Sequence, residues 1–276
     1  MNETAGPRGH TSVALVTGAS SGIGWATAKA LAALGYRVAV TARREERLAR
    51  LVEEIGRAGG TALAIAADLS REAERERLVA AVRERWGQID VLVNNAGHGW
   101  IGWQAAMPAD VRQRLLAVNV DAVVHLTNLV LPEMLARRSG HIVDVASIAA
   151  DFVAPPRVLY SASKAFVQAF SRGLDRELRG TGVRVSVINP GPVRTEFRRV
   201  ASGVPVEERP ELEQGIAPGQ VAAAIVATIQ RPRRSTYVPG IAGLAALFAP
   251  VAGPILDRFS RGVAARWLRR LGHLRE

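Results

Sequence analysis

The sequence predicts an α/β fold in which a doubly wound parallel sheet carries helices on both faces. Short runs that are apolar at nearly every position, such as Val13–Thr17, alternate with longer helical stretches along most of the chain. Such runs are typical of parallel strands buried on both faces, and right-handed crossovers between them favour a doubly wound sheet. The 276 residues, 48% of them hydrophobic, suffice for a sizeable core and exclude a fully disordered chain.

The first half of the chain repeats a strand followed by a helix three times and then enters a fourth strand. Each predicted strand is short and apolar, whereas the second and third helices are charged, as expected for helices that cover a sheet. In chain order, we predict strand Val13–Thr17, helix Gly22–Leu34, strand Arg37–Thr41, helix Arg44–Ala58, strand Thr61–Ala67, helix Arg71–Trp86 and strand Ile89–Asn94.

The second half continues the alternation with longer helices. In order, we predict helix Pro108–Leu135, strand His141–Ala146, helix Tyr160–Arg179, strand Val183–Asn189, helix Pro218–Gln230 and a short last strand Thr236–Val238. Residues Arg194–Gly219 lose strand character and gain proline and charge, which predicts a mobile flap.

A glycine-rich turn follows the first predicted strand and opens directly into the first helix. Its residues are Thr17-Gly18-Ala19-Ser20-Ser21-Gly22-Ile23-Gly24. Glycines allow the backbone to approach a pyrophosphate closely, and a helix N-terminus offers unpaired amides and a favourable dipole. A glycine triplet alone is a weak signal, but its position at the first strand-to-helix junction predicts dinucleotide binding.

The spacing of this turn resembles that of the short-chain dehydrogenase/reductase family, and further motifs of that family follow in the right order. They are Asn94-Asn95-Ala96-Gly97, Asn119 in the long helix, Ser147 after the fifth strand, Tyr160-x-x-x-Lys164, and Asn189-Pro190-Gly191-Pro192 with Thr195 after it. The resemblance implies a Rossmann-type dinucleotide-binding and catalytic domain over residues 13–239. Residues 1–12 would be an N-terminal extension, and residues 240–276 a C-terminal extension.

The resemblance also implies which residues act. It assigns catalysis to Ser147, Tyr160, Lys164 and Asn119, the last as the anchor of a water in a proton relay. The cofactor contacts that it implies are Gly18, Ser20, Ser21, Gly22, Ile23, Gly24, Asp68, Leu69, Asn95, Ala96, Gly97, Tyr160, Lys164, Pro190, Gly191, Val193 and Thr195. Asp144 stands where the family often has asparagine, and Ala150 where it often has glycine. Neither departure affects an implied catalytic group, but the resemblance does not determine the shape of the pocket wall at these positions.

Tyr160 and Lys164 are four residues apart on a predicted helix, so their side chains share one face. A free tyrosine has a pKa of about 10, and we expect the nearby ammonium to lower it by stabilising the phenolate. Tyr160 could then protonate an alkoxide in carbonyl reduction or deprotonate an alcohol in oxidation, while Ser147 holds the substrate oxygen. A lone helical tyrosine is usually an ordinary amphipathic side chain, so this interpretation depends on the whole set of motifs.

The end of the second strand predicts the cofactor. NAD-selective folds usually place an acid there to bind the ribose hydroxyls, but this sequence has none before Glu45. Arg43 and Arg44 could instead bind the 2′-phosphate of NADP through their guanidinium groups, with Ser20 as a further contact. We therefore expect NADP, with NAD also accepted. In the alternative, these arginines only begin a charged surface helix.

Composition excludes several other chemistries. Because cysteine is absent, disulfides, thiolate metal sites and cysteine nucleophiles are excluded, and the five histidines are scattered, so we expect no metal. The net charge of +11 is concentrated in residues 231–276, where nine arginines face two acids, so we expect no nucleic-acid partner. Residues 1–12 contain no apolar run, so we predict no secretory signal and a cytoplasmic protein.

Three segments are expected to line the substrate pocket: His98–Trp103, Ile148–Leu159 and the flap at Arg194–Gly215. Their side chains are mostly apolar, with Arg157 the exception; the expected pocket residues are Trp100, Ile101, Trp103, Phe152, Val153, Pro155 and Pro156. A lipophilic ketone or secondary alcohol is therefore the predicted substrate. His98 could line the pocket as part of the first segment, but we interpret it as a solvated loop residue.

The C-terminal extension combines an uncharged stretch with a basic helix. Residues 235–256 carry no charge and are nominally long enough to span a bilayer, but glycines and prolines interrupt them, which argues against a transmembrane helix. Beyond them, Phe259, Val263, Trp267 and Leu271 recur every four residues with arginines largely opposite, which predicts a basic amphipathic helix. We expect this stripe to pack on the protein itself, where it could cap the pocket, or on a second subunit of a homo-oligomer. Peripheral attachment to an anionic membrane is the alternative.

Two non-catalytic functions compete with an oxidoreductase. The chain could be a dinucleotide-binding redox sensor or scaffold, or a membrane-surface adaptor that acts through its tail. The intact set of Ser147, Tyr160 and Lys164 favours the enzyme, because a scaffold does not need these residues.

Overall fold

The computed structural model describes residues 11–153, 155–202, 214–244, 246 and 262. Seven strands form one sheet: β1 (Val13–Thr17), β2 (Arg37–Ala42), β3 (Thr61–Ala66), β4 (Val91–Asn94), β5 (Gly140–Val145), β6 (Val183–Pro190) and β7 (Ser235–Val238). Every neighbouring pair is parallel, and the strand order is β3-β2-β1-β4-β5-β6-β7. The predicted doubly wound parallel sheet is confirmed.

Helices cover both faces of this sheet. They are α1 (Gly22–Ala33), α2 (Glu45–Arg57), α3 (Glu72–Trp86), α4 (Ala109–Leu116), α5 (Ala122–Ala136), α6 (Val158–Glu177), α7 (Glu196–Ser202) and α8 (Pro218–Gln230). The predicted elements lie within two residues of these bounds, because buried apolar runs and amphipathic periodicity mark both kinds of element clearly. Helix α7 was not predicted.

The core consists of two apolar layers, one on each face of the sheet. Along β1, Val13 and Leu15 point into the layer under α3, α5 and α6, whereas Ala14 and Val16 point into the layer under α1, α2 and α8. This alternation follows from the two-residue repeat of a strand. Because β1 is buried on both faces, its residues are apolar or, at Thr17, hydrogen-bonded, which explains the uninterrupted apolar run.

The chain order reverses between β1 and β4, and this reversal positions the site. After β1 the chain moves outward through β2 and β3, and it then returns to add β4 on the other side of β1. The loops at the carboxyl ends of β1 and β4 consequently diverge and leave a crevice, which is where open α/β sheets bind ligands.

One long helix runs from Ala109 to Ala136, with a π-helical turn at Ala117–Asp121 between α4 and α5. It is the one described helix with the length and hydropathy to cross a membrane. Its apolar side chains, including Leu126, Val130 and Met134, belong to the core layer under α3, so its hydrophobicity is used inside this fold.

The flap and the tail are described in part. The flap contains α7, which is regular structure where the sequence predicted only a mobile flap. The last predicted strand is present as β7, and residues 241–244 are helical. The basic amphipathic helix predicted around Phe259–Leu271 lies outside the described residues apart from Gly262.

Candidate active site

Two neighbouring turns, after β1 and after β4, are joined through the side chain of Thr17. Its Oγ1 accepts hydrogen bonds from the amides of Asn95 at 3.0 Å and Ala96 at 2.9 Å, and donates to the carbonyl oxygen of Val93 at 3.2 Å. The Asn95 side chain donates back to the carbonyl oxygen of Thr17 at 2.8 Å. The glycine-rich turn and the Asn-Asn-Ala-Gly segment thus form one rigid floor.

The glycines of the first turn leave room that any side chain would fill. Gly18 has φ +67°, and a Cβ there would lie 2.8 Å from the Cα of Ala96. At Gly24, a Cβ would lie 2.5 Å from the carbonyl oxygen of Gly18, so helix α1 can approach the turn only with glycine at this position. The open backbone and the start of α1 together fit a pyrophosphate group.

A cleft of about 530 Å³ runs from this turn to Tyr160. All but two of the residues predicted for catalysis or cofactor binding line it. Those that do are Gly18, Ser20, Ser21, Gly22, Ile23, Arg43, Arg44, Asp68, Leu69, Asn95, Ala96, Gly97, Ser147, Tyr160, Lys164, Pro190, Gly191, Val193 and Thr195. Gly24 and Asn119 lie behind the wall of the cleft, where they shape the backbone that lines it.

Basic side chains gather at one end of the cleft. Arg43 and Arg44 line it beyond the end of β2, and the Nε and Nη2 of Arg44 donate to the Oγ of Ser20 at 3.2 and 2.9 Å. Asp68 follows β3 and accepts hydrogen bonds from Ser70 at 2.7 Å and from Arg114 at 3.3 Å. This end offers guanidinium donors and hydroxyls, which suits an anionic adenosine group.

Ser147, Tyr160 and Lys164 meet at the other end. Ser147 caps a short 3₁₀ turn after β5, and its Oγ accepts from the amide of Ala149 at 3.1 Å. Tyr160 and Lys164 lie one helical turn apart near the start of α6. Lys164 is buried, and its ammonium donates to the carbonyl oxygen of Val145 at 2.8 Å.

The electrostatics differ from the simple expectation for this pair. Burial raises the pKa of Tyr160, and the hydrogen bond from Ser147 and the charge of Arg157 only partly counteract it. Lys164 is not among the groups that lower the pKa of Tyr160, which corrects the expectation that its ammonium would do so. Lys164 is itself buried, and desolvation lowers its own pKa to about 8, although Asp144 opposes the change. The lysine therefore loses its charge at a lower pH than the one at which Tyr160 ionises.

Asp144 is a buried acid beneath the site that the sequence argument passed over. Its carboxylate accepts from the Nδ2 of Asn94 at 2.8 Å and from the Oγ of Ser171 at 2.8 Å. Burial raises its pKa to about 6, against those two hydrogen bonds and the charge of Lys164. The available signal was an aspartate within an otherwise apolar strand, at a position where the family often has asparagine.

Asn119 lies in the π-helical turn and is fully buried. Its Oδ1 accepts from the amide of His98 at 2.7 Å, and its Nδ2 donates to the carbonyl oxygen of His98 at 2.9 Å and to the Oγ of Ser163 at 2.9 Å. It therefore holds the loop after β4 against α6. A π-helical turn often marks a functional position, but its presence is not visible in the sequence.

Helix α7, in the described part of the flap, covers the Tyr160 end of the cleft. The ring of Phe197 in α7 contacts the ring of Tyr160, and α7 also supplies Glu196, Val200 and Ala201 to the wall. His98 lines the cleft and is half-buried, with burial lowering its pKa, so its interpretation as a solvated loop residue was wrong. Two hydrogen bonds with the side chain of Asn119 hold the backbone of His98 in this position.

The apolar wall is smaller than the sequence suggested. Trp100, Ile101, Phe152 and Arg157 line the cleft as expected. Trp103, Val153, Pro155 and Pro156 were expected there but do not line it; Trp103 and Val153 point to solvent. Apolar loop residues can lie on either side of a turn, and only the fold decides which.

Away from the cleft, Glu72, Glu76 and His125 bring potential metal-ligand atoms within 4.8 Å of one another. The two glutamates are exposed on α3. The cleft itself contains no such group among the described residues.

The model of the short chain dehydrogenase family matches residues 12–203, which is more than half of the chain. The chain belongs to the short-chain dehydrogenase family. Within this family, it is 42% identical over 186 residues to a short chain dehydrogenase of Pseudocercospora fijiensis, covering 67% of this chain and 60% of that protein. It is 38% identical to the NADP-dependent 3-hydroxy acid dehydrogenase YdfG of Salmonella typhi, covering 68% of this chain and 75% of the relative.

A third curated relative is the serine 3-dehydrogenase of Agrobacterium fabrum, 36% identical, covering 74% of this chain and 81% of the relative. Solved structures of short-chain dehydrogenases share the fold. One from Sphingobium yanoikuyae in complex with NADPH has a TM-score of 0.78 at 30% identity, covering 89% of this chain and 95% of that one. One from Burkholderia phymatum in complex with NAD has a TM-score of 0.81 at 26% identity, with the same coverage. As a short-chain dehydrogenase, the protein is an oxidoreductase.

Proposed function

We propose that this short-chain dehydrogenase uses NADP(H) to interconvert a carbonyl and a secondary alcohol on a lipophilic substrate, with Tyr160 as general acid and base. The observation that carries the proposal is the single cleft that joins the glycine-rich turn and the arginine pair to Ser147, Tyr160 and Lys164. A merely structural role would not need a nucleotide-sized cleft to end at these three side chains.

The residues along the cleft fit a dinucleotide. The turn at Gly18–Gly24 would hold the pyrophosphate, Asp68 and Leu69 the adenine, and Gly191, Val193 and Thr195 the nicotinamide end. Arg43 and Arg44, with no acid at the end of β2, favour a 2′-phosphate, and NADP(H) is the ligand of several similar solved structures. The bound nicotinamide would supply the hydride chemistry.

The protein's own contribution is the proton. In reduction, Tyr160 would donate its phenolic proton to the developing alkoxide, and in oxidation it would take the proton of the alcohol. Ser147, which already hydrogen-bonds Tyr160, would hold the substrate oxygen beside the phenol. Lys164 would bind the ribose.

Asn119 would act through position. Its three hydrogen bonds hold the His98 loop to α6, which keeps the wall near Lys164 in place. Gly97 lies between the two side chains, because a Cβ there would be 3.6 Å from Asn119 Oδ1 and 3.7 Å from Lys164 Nζ. This proximity supports the proposed relay from Tyr160 through Lys164 toward Asn119.

The lipophilic substrate is supported by the wall of the cleft, to which Trp100, Ile101, Phe152 and Phe197 contribute apolar side chains. A hydroxy acid is a second candidate, favoured by Arg157. Its side chain lines the cleft, is exposed, and lies close enough to Tyr160 to lower the pKa of the phenol. Two relatives are named for such compounds, a 3-hydroxy acid and serine.

The experiment is a screen of uncharged ketones, secondary alcohols and hydroxy acids with NADPH or NADP, followed at the absorbance of the reduced nicotinamide. Tyr160→Phe should bind NADPH normally and lose at least about 100-fold in turnover, because only the proton donor is removed. Tyr36→Phe, a tyrosine outside the cleft, is the matched control. Near-normal turnover by Tyr160→Phe would refute the mechanism, and cofactor binding without turnover of any substrate would favour the redox sensor or scaffold.

We further propose that residues 13–239 form the catalytic domain of a cytoplasmic homo-oligomer and that the C-terminal extension after it helps assembly. The extension's apolar stripe at Phe259, Val263 and Trp267 supports this, since short amphipathic helices usually bury such a stripe on protein.

A further inference from the structure

A carboxylate of the flap crosses the cleft to the arginines at its basic end. Glu196, the first residue of α7, accepts a hydrogen bond from the Nη1 of Arg44 at 2.9 Å. It also accepts from the Nη1 of Arg47, at 2.7 Å to one carboxylate oxygen and 2.8 Å to the other. We call this three-residue group the Glu196 clasp. It links α7 to the start of α2, 149 and 152 positions away in sequence.

The clasp occupies the donors that would bind a 2′-phosphate. Arg44 uses its Nη1 for Glu196, while its Nε and Nη2 donate to Ser20 and its Nη2 also to Ser21. A guanidinium binds phosphate through these same planar donors. A phosphate at Arg44 must therefore share or replace the carboxylate of Glu196.

The charge of Glu196 opposes the binding of NADP(H) but not that of NAD(H). Hydrogen bonds and charge from Arg47 and then Arg44 hold the pKa of Glu196 below its ordinary value, so this carboxylate is ionised at neutral pH. A phosphomonoester at the same point carries up to two negative charges and would be repelled by it. The ribose 2′-hydroxyl of NAD carries no charge and has no such conflict.

We propose that Glu196 is a specificity-determining residue that competes with the 2′-phosphate for Arg44 and so limits the preference for NADP(H) over NAD(H). In this view, the 2′-phosphate of NADP(H) binds Arg44 only when the carboxylate of Glu196 leaves that arginine. Arg47 does not line the cleft, so it can keep its ion pair with Glu196. The inference rests on the proposed NADP(H) function and on Arg44 as the phosphate contact.

The test is binding, measured by calorimetry on the full-length protein with adenosine 2′,5′-bisphosphate and with AMP as probes. These differ only in the 2′-phosphate and need no turnover. Glu196→Gln keeps the size of the side chain and removes its charge. We expect it to bind the bisphosphate about two- to fivefold more tightly, with AMP unchanged, since exposed ion pairs of this kind are weak.

Two further variants isolate the contact. Glu46→Gln removes the same charge from an exposed residue of α2 that makes no ion pair with Arg44 or Arg47 in the described part of the chain, and should change neither probe. In an Arg44→Ala background, Glu196→Gln should have a smaller effect, because the contested donor is gone and only the repulsion between the two negative charges remains.

The outcomes separate the inference from the function on which it rests. If Glu196→Gln binds the bisphosphate more weakly, the carboxylate orients the arginines for phosphate, and the competition is refuted; an unchanged ratio of the two affinities refutes it as well. If Arg44→Ala alone leaves that ratio unchanged, the phosphate contact itself is wrong, whereas loss of turnover on Tyr160→Phe still tests the oxidoreductase mechanism independently.

Discussion

The ring of Phe197 lies 5.6 Å from the ring of Tyr160, centroid to centroid, at an interplanar angle of 49°. One ring belongs to the flap and the other to α6, so this contact places α7 directly over the phenol that we propose to transfer the proton. Thr195, two residues earlier, packs against Gly22, where a Cβ would lie 2.7 Å from its Cγ2. The same short segment therefore touches both the phosphate-binding turn and the proposed proton donor.

Removing the Phe197 ring should loosen this closure. We expect Phe197→Ala to lower kcat/KM by about three- to tenfold, mainly through KM, because a tilted aromatic pair contributes about 0.5–1.5 kcal/mol beyond its buried area. Steady-state kinetics on the best substrate of the screen gives the measurement. Phe166→Ala, which removes a partly exposed ring of α6 outside the cleft, is the control and should leave KM unchanged.

Arg157 distinguishes the two substrate classes. If the substrate carries a carboxylate, Arg157→Gln should raise KM for hydroxy acids about tenfold or more and leave uncharged ketones nearly unaffected, because hydrogen bonds to charged groups contribute about 1.5–3 kcal/mol. KM values for a matched acid and its methyl ester measure the difference. Equal effects on acid and ester would leave the lipophilic substrate as the better proposal.

Asp144 should make stability depend on pH. Its pKa is about 6 in the folded protein against about 3.9 in an unfolded chain, so the contribution of its protonated form is present below pH 4 and is lost as the pH rises through 6. Relative to Asp144→Asn, the wild-type free energy of unfolding should fall by about 2 kcal/mol between pH 4 and 6. Urea unfolding of both proteins across this range provides the test, and a pH-independent difference would contradict it.

His141 should act in the opposite direction. Burial, with the charge of Arg184, lowers its pKa to about 4, and its ring bonds the Oγ of Ser186 at 2.8 Å. Its stabilising contribution is complete above about pH 6.5 and is lost as the pH falls toward 4. His141→Gln should therefore lose about 3 kcal/mol less than wild type between pH 6.5 and 4, measured by the same unfolding titration. A parallel acid dependence of both proteins would show that His141 is not buried in its neutral form.

The tail prediction concerns assembly. Val263→Asp with Trp267→Asp would place charges on the predicted apolar stripe, and we expect a smaller assembly state or a lower melting temperature, as after truncation beyond Gly240. Sizing chromatography tests packing on a second subunit, thermal unfolding tests packing on the protein itself, and flotation with anionic vesicles tests attachment to a membrane. Binding to vesicles that is lost in the variant and weakened by salt would favour the membrane instead. If none of these properties changes, the stripe packs on nothing.

Local sequence patterns were sufficient for most of the fold. Apolar runs such as Val13–Thr17 mark strands buried on both faces, and their periodicity does not depend on distant residues. The glycine-rich turn and the spacing from Tyr160 to Lys164 are local as well. Helix α7 could not be predicted in this way, because its sequence is polar and the helix packs through single residues such as Phe197 and Ala201.

The sequence by itself determined the α/β class, the order of the elements and most of the motif residues that line the cleft, since each follows from short-range periodicity or a compact motif. Only the tertiary structure decided how those residues affect one another. Burial, which no local pattern measures, raises the pKa of Tyr160, lowers that of Lys164 and makes Asp144 a titrating group. Contact between distant segments, as between Glu196 and Arg44, depends on how the flap folds back over the sheet, because ion pairs form in space and not along the chain.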